Sequence, residues 1–78
     1  MTRTIDIKTK EQVEQINRLA SEAPYEVWLS AGDVMLDARS LLGLFTLIGK
    51  RTHVVADDDV NPRNFDHLVT RMEKAQNA

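Results

Sequence analysis

The stretch DARSLLGLFTLI, residues 37–48, decides the fold of this 78-residue chain, because a hydroxyl residue is followed there by a dense apolar run. Ser40 precedes the run, and only two residues interrupt it, Gly43 and Thr46. Serine is a favoured helix N-cap, so the pattern predicts a helix over residues 41–48. A surface helix normally has a single apolar stripe. This helix is therefore either buried all round or partly covered by another molecule.

The chain before this stretch changes from strand to helix periodicity. Ile5 and Ile7 alternate with polar residues and predict a half-buried strand over residues 3–8. Thr9 is typical of a helix N-cap, and Gln12 stands where it can return a hydrogen bond to the backbone N–H of the cap, as in a capping box. We expect the first helix to begin here and to stop before Pro24.

Three more strands and a last helix complete the predicted order. Alternating runs predict strands over residues 25–30 and 33–37, joined by a tight turn at Ala31 and Gly32. Residues 52–56 are rich in β-branched residues and predict a short strand. Asn61 and Pro62 then begin a helix with an apolar stripe, which we expect to fray at residues 76–78. The order βαββαβα predicts an α+β fold, a four-stranded antiparallel sheet with three helices on one face, in a single domain over residues 1–78.

Composition excludes several classes of function. The formal net charge is −2 and the ten Lys and Arg residues are scattered, so we expect no nucleic-acid partner. The first residues lack the apolar run of a signal peptide, and no apolar run reaches membrane-spanning length, so we expect a cytoplasmic protein without a membrane segment. The absence of cysteine excludes a disulfide and a thiolate site. His53 and His67 lack ligand-spaced partners, and residues 57–59 lack the closing glutamate of a calcium loop. We therefore expect no metal, no cofactor and no enzymatic activity.

On the element order, the length and the segment Ala38 to Leu47, the chain resembles the HPr family of the bacterial sugar phosphotransferase system. In that family a basic residue precedes a regulatory serine, and an apolar helix with a glycine follows; Ser40 and Gly43 match this pattern. Counting back without a gap places the phosphorylated histidine of the family on Thr9. Its arginine falls on Glu11 and its proline on Gln12, so none of the three is kept. The resemblance therefore implies an HPr-like open-faced sandwich without the phosphocarrier site, similar to the catabolite-repression variants of the family.

The missing histidine has a chemical consequence. A phosphohistidine needs an imidazole nitrogen as acceptor and cationic or N–H donors for the phosphoryl oxygens. Thr9 provides no such nitrogen, and the carboxylate of Glu11 repels phosphate. The alternative is a phosphocarrier with an unusual acceptor such as Thr9, whose phosphoester is too stable to pass the group on readily.

Two interpretations of Ser40 remain open. Its oxygen either caps the helix by accepting an N–H from the first turn, or takes a regulatory phosphate that the resemblance implies. Phosphorylation at Ser40 by an HPr kinase is the functional hypothesis.

The apolar residues after Ser40 divide into two expected sets. We expect Leu44, Leu47 and Ile48 to lie mainly inside, and Leu41, Leu42 and Phe45 to be at least partly exposed as a partner-binding patch. An HPr kinase or a transcriptional regulator is the expected partner. A homodimer formed through the same patch is a further alternative.

Overall fold

The computed structural model describes residues 1–74, so the fraying expected at residues 76–78 lies outside the described residues. The elements follow the order βαββαβα, with one 3₁₀ turn after the second helix. Their bounds are β1 Thr2–Asp6, α1 Lys10–Glu22, β2 Trp28–Ala31, β3 Val34–Asp37, α2 Leu41–Leu44, the 3₁₀ turn Phe45–Leu47, β4 Arg51–Val55 and α3 Pro62–Lys74.

The four strands form one antiparallel sheet in the order β1-β4-β2-β3, so β1 and β3 are its edges. The register aligns Ile5 with Thr52, and it aligns Leu29 with both Val54 and Leu36. These side chains point to the face that the helices cover, as the period-2 alternation of a strand requires. Ile5, Leu29 and Val54 are accordingly buried, which confirms an α+β fold with helices on one side of the sheet.

The core lies between this face and the three helices. Helices α1 and α3 each contribute one apolar side to the core. Helix α3 also contacts β1. There the Arg3 guanidinium donates a hydrogen bond to Asp66 at 2.8 Å and lies 5.8 Å from the ring centre of Phe65. The buried apolar side chains are those of Ile5, Ile7, Val13, Ile16, Leu19, Ala20, Val27, Leu29, Ala31, Ala38, Leu44, Leu47, Val54, Ala56, Phe65, Leu68, Val69 and Met72.

The strand boundaries differ from the sequence predictions. The β2 strand begins at Trp28 rather than at residue 25, because the chain bends through Pro24 and Tyr25 after α1. The hairpin turn consists of Gly32 and Asp33, so the predicted turn at Ala31 was wrong by one residue. Gly32 has φ +58, the conformation that a two-residue turn with glycine at its first position requires.

The helix predicted over residues 41–48 is shorter than expected. Its α-helical part ends at Leu44 and the 3₁₀ turn Phe45–Leu47 follows, after which Ile48 is extended and Gly49 has φ +89. Ile48 is 38% exposed, so its predicted burial was wrong, whereas the predicted burial of Leu44 and Leu47 is confirmed.

Candidate functional site

The loop between β1 and α1 holds the position where the resemblance puts a phosphorylated histidine. Thr9 is the N-cap of α1, and its Oγ1 accepts a hydrogen bond from the backbone N–H of Gln12 at 3.1 Å, as predicted. The return bond of the expected capping box is different, because Gln12 Oε1 accepts from the N–H of Lys8 at 2.8 Å rather than from that of Thr9. The loop is therefore closed on itself by the side chains of Thr9 and Gln12.

Gln12 is a fully buried polar residue in this loop. Its Nε2 donates to the carbonyl of Asp6 at 2.9 Å and, at a longer 3.4 Å, to the carbonyl of Met72 near the end of α3. Buried amides persist when their donors and acceptors are paired. Gln12 therefore joins β1, the loop and α3, while the neighbouring Glu11 points to solvent.

Ser40 occupies the N-cap position of α2, but its hydroxyl makes no capping hydrogen bond, so the structure does not support the capping interpretation. The backbone at Ser40 has φ −89 and ψ 87. This ψ departs from the extended values typical of an N-cap, which direct the side-chain oxygen toward the first turn. The side chain is exposed, and the backbone N–H donates to the carbonyl of Asp37 at 2.9 Å. The hydroxyl is consequently available to solvent.

Three apolar residues follow Ser40, namely Leu41, Leu42 and Phe45, and we call them the docking surface after the partner-binding role predicted for them from the sequence, which stays a prediction. Leu42 is 83% exposed and Leu41 is 37% exposed, while Phe45 is half-buried and packs against the core. The expected partial exposure of all three is thus confirmed. The surface results from the short length of α2. In the four residues of α2 and the 3₁₀ turn that follows, Leu44 and Leu47 are the side chains that point into the core, so the other large apolar side chains remain at least partly exposed.

A charged cluster stands immediately before the docking surface. The Arg39 guanidinium contacts the carboxylate of Asp37 at 3.0 Å and that of Glu26 at 3.5 Å. Hydrogen bonds from the Arg39 side chain and backbone N–H lower the pKa of Asp37, and the same pairing raises the pKa of Arg39. All three groups are solvent-exposed or half-exposed, so their Coulomb energy is screened. The cluster orients the Arg39 side chain next to Ser40.

The two histidines lie in different elements of the structure. His53 is exposed on the uncovered face of the sheet, in β4, with its Nδ1 2.9 Å from the hydroxyl of Thr4. His67 is exposed in the middle of α3. In the sequence, both histidines lack ligand-spaced partners. Among residues 1–74, no group of three His, Cys, Asp or Glu side chains is arranged to hold a metal ion.

A cleft of about 290 Å³ between the end of α1 and the middle of α3 was missed by the sequence analysis. Leu19 and Leu68 line its apolar part, and Tyr25, His67 and Arg71 contribute polar groups. Partial burial raises the pKa of the Tyr25 hydroxyl. His67 and Arg71 are four residues apart, a spacing that puts both on one face of a helix and could have indicated this cleft from the sequence. Tyr25 gave no such signal, because its alternation with Val27 resembled a strand.

No helix within residues 1–74 has both the length and the apolar content needed to cross a membrane. No protein-family model matches the sequence, and no curated protein is significantly similar to it.

Comparison with solved structures identifies the fold. The chain is similar to HPr-C-His from Thermoanaerobacter tengcongensis, with a TM-score of 0.75 and 21% identity over 100% of this chain and 97% of that one. It is also similar to the phosphocarrier protein HPr of Bacillus anthracis, with a TM-score of 0.69 and 10% identity over 91% and 94% of the two chains. A mycoplasma histidine-containing phosphocarrier protein gives a TM-score of 0.69 and 12% identity over 97% and 91%.

These neighbours confirm the fold that the element order implied. The last two are phosphocarrier proteins by name. At identities of 10 to 21% the likeness is one of architecture. The chain therefore has an HPr-like α+β fold, a four-stranded antiparallel sheet covered on one face by three helices.

Proposed function

We propose that this chain is an HPr-like cytoplasmic binding module that docks protein partners through Leu41, Leu42 and Phe45 and does not act as a histidine phosphocarrier. The observation that carries the proposal is the exposure of Leu42 beside two further apolar side chains. Clustered exposed apolar residues on a small domain usually mark a contact surface, because their exposure to water is unfavourable. We place no enzymatic activity, metal or cofactor on the chain.

The loop before α1 supports the second half of the proposal. Thr9 has no nitrogen to accept a phosphoryl group, and its hydroxyl already accepts the N–H of Gln12. Glu11 adds a negative charge where a phosphate would need a cation. The alternative function is phosphotransfer through an unusual acceptor such as Thr9, whose hydroxyl already takes part in this hydrogen-bonded loop.

Regulation at Ser40 is the finer part of the proposal. The hydroxyl is exposed and makes no capping bond, so a kinase has access to it without breaking a helix cap. A phosphate there carries a charge of about −1.5 to −2 at neutral pH and competes with Asp37 and Glu26 for Arg39. The new charge would also stand at the edge of the docking surface. We infer that phosphorylation changes partner affinity through both effects, with an HPr kinase as the enzyme and a transcriptional regulator as the docked protein.

The test is the intact mass after two separate incubations. We expect ATP with an HPr kinase to add one phosphoryl group to the wild type and none to Ser40→Ala. Phosphoenolpyruvate with the general phosphotransferase enzyme should add none. A label from phosphoenolpyruvate would overturn the binding-module proposal, and its loss in Thr9→Ala would identify the acceptor. Absence of any label from ATP would remove the regulatory part.

A matched pair of substitutions tests the docking surface. Leu42→Ser should lower kcat/KM for phosphorylation by the kinase about tenfold, as removal of a contact hot spot does. Ile48→Ser is the control, since Ile48 is exposed on the same segment but outside the docking surface. Equal effects of the two substitutions would show that these three residues do not form the contact.

A further inference from the structure

The edge strand β3 combines exposed apolar side chains with an unpaired backbone edge. Within residues 1–74 it pairs with β2 alone. Met35 is 58% exposed and Val34 is 42% exposed. Proteins usually protect such edges with charges, proline or bulges. The opposite edge, β1, has Arg3 and Asp6 in five residues, whereas Val34–Asp37 has one charged residue at its end.

The hairpin determines which backbone groups of β3 face outward. The two-residue turn makes Ala31 and Val34 a hydrogen-bonded pair, and pairs alternate along an antiparallel ladder. Leu36 therefore also bonds to β2, and the bond from the Ala38 N–H to the Val27 carbonyl, 2.9 Å long, continues the alternation. Met35 and Asp37 consequently direct their N–H and C=O groups away from the sheet. The Asp37 carbonyl accepts the N–H of Ser40 and keeps a second lone pair.

We propose that two copies of this chain pair antiparallel along β3, with Met35 of each copy opposite Asp37 of the other, to form a continuous eight-stranded sheet. Each Met35 and Asp37 pair exchanges its N–H and C=O groups, so the two pairs use the outward-facing backbone groups of both residues. The interaction does not rest on the proposed function, because it involves the edge of the sheet and not the docking surface.

Symmetry limits the possible registers. Two antiparallel strands in one sheet are related by a two-fold axis normal to the sheet, which keeps each face on its own side. The paired residue numbers must then have an even sum, because residues two apart share a face. With Met35 and Asp37 as the outward-facing residues, the axis lies at Met35, at Leu36 or at Asp37.

Charge selects the axis at Leu36 among these three registers. An axis at Met35 puts Asp33 opposite Asp37, and an axis at Asp37 puts that carboxylate opposite its own copy; like charges directly opposite destabilise a sheet. The axis at Leu36 instead places Met35 opposite Asp37 and brings the turn with Asp33 toward the turn with Arg39. This register avoids both repulsions between carboxylates. Because of the two-fold symmetry, it also brings Asp33 toward Arg39 of the other copy twice, once on each side of the axis.

On the helix-covered face, α2 lies close to the proposed axis. The α2 helix stands over β3, where an added Cβ at Gly43 would be 3.3 Å from Leu36 Cδ1. A dimer with its axis at Leu36 therefore brings the two α2 helices to opposite sides of the axis. Because the shared edge is short, we expect a weak dimer with Kd on the order of 100 µM.

Opposite charges at one exposed position test the register. Met35→Glu faces Asp37 of the other copy and should raise the dimer Kd about tenfold, whereas Met35→Lys faces the same carboxylate and should bind at least as tightly as wild type. Sedimentation velocity over a concentration series measures both, at low salt and again at high salt, where the difference should shrink. Circular dichroism of each monomer checks the fold.

Cysteine cross-linking gives an independent test of the dimer register, since the chain has no cysteine of its own. At the axis, Leu36→Cys would form a non-hydrogen-bonded pair with Cα atoms about 4.5 Å apart, within the range of a disulfide. It should oxidise to a dimer faster than Met35→Cys, although residue 35 is the more exposed. A wild type that is monomeric up to about 1 mM overturns the proposal. Equal weakening by both Met35 charges, or faster cross-linking at residue 35, overturns the register.

Discussion

At the scale of single residues, Gln12 contributes more to the structure than its polarity suggests. The side chain is fully buried, and its amide group forms hydrogen bonds with the backbone of Lys8, Asp6 and Met72. The sequence pattern indicates that Gln12 is part of a capping box but not that it is a core residue, because nothing in the local pattern indicates that α3 covers this loop.

The first prediction follows from these contacts. Gln12→Ala should lower the free energy of unfolding by about 2–4 kcal/mol, since it leaves a cavity and an unpaired N–H at Lys8. Urea denaturation measures the change. Gln15→Ala is the control, because Gln15 is half-exposed and its side-chain oxygen accepts a hydrogen bond from the exposed Arg18 in the same helix; its effect should stay below about 0.5 kcal/mol. Similar losses from the two variants would contradict the structural role of Gln12.

Asp37 gives a pH-dependent prediction. Hydrogen bonds from Arg39 lower the pKa of Asp37 in the folded state below its ordinary value of 3.8. The stabilisation is therefore complete above that value and is lost as the pH falls through the folded-state pKa. Asp37→Asn should make the acid limb of the stability curve less steep and leave its slope at neutral pH unchanged. Chemical denaturation at a series of pH values tests this, and an unchanged acid limb would show that the pairing with Arg39 is energetically silent.

At the scale of elements, the short helix α2 separates a structural face from a contact face. Leu44→Ala should cost about 2–5 kcal/mol of folding free energy, because Leu44 is fully buried. Leu42→Ala removes a side chain that is mostly in water and should change stability by less than about 0.5 kcal/mol. Thermal denaturation of the two variants measures this contrast. A comparable loss at Leu42 would mean that this residue packs within the monomer.

Element types could be predicted from the sequence more reliably than their ends. Every strand and α-helix of residues 1–74 was predicted, the strands from period-2 alternation or β-branched content and the helices from their caps and apolar residues. Asn61 caps α3 as expected, its Oδ1 accepting the N–H of Arg63 at 2.8 Å. The helix predicted to reach Ile48 ends early because the chain must turn toward β4, and apolar density alone does not report that turn. The partial exposure of the docking surface was foreseen, whereas the free hydroxyl of Ser40 and the cleft depend on tertiary geometry.

At the scale of the whole molecule, the sheet predicts a graded pattern of hydrogen exchange. β4 and β2 are the central strands and should exchange slowest, through global unfolding. The amides of Met35 and Asp37 face outward and should exchange fast in dilute solution, then slow down as concentration rises and copies pair. Exchange measured by NMR at two concentrations resolves the individual amides, with Leu36, bonded to β2, as the internal reference. No slowing in a sample shown to be dimeric would place the dimer contact elsewhere.

The aromatic residues have a practical consequence for all of these measurements. The chain has a single tryptophan and a single tyrosine. Trp28 is half-buried and aligned with Asp37 of β3, whereas Tyr25 lines the cleft between α1 and α3. Intrinsic tryptophan emission therefore monitors the sheet edge, and tyrosine absorbance monitors the cleft. The protein thus has two native optical probes at separate places, and events at the edge and in the cleft can be followed in one unlabelled sample.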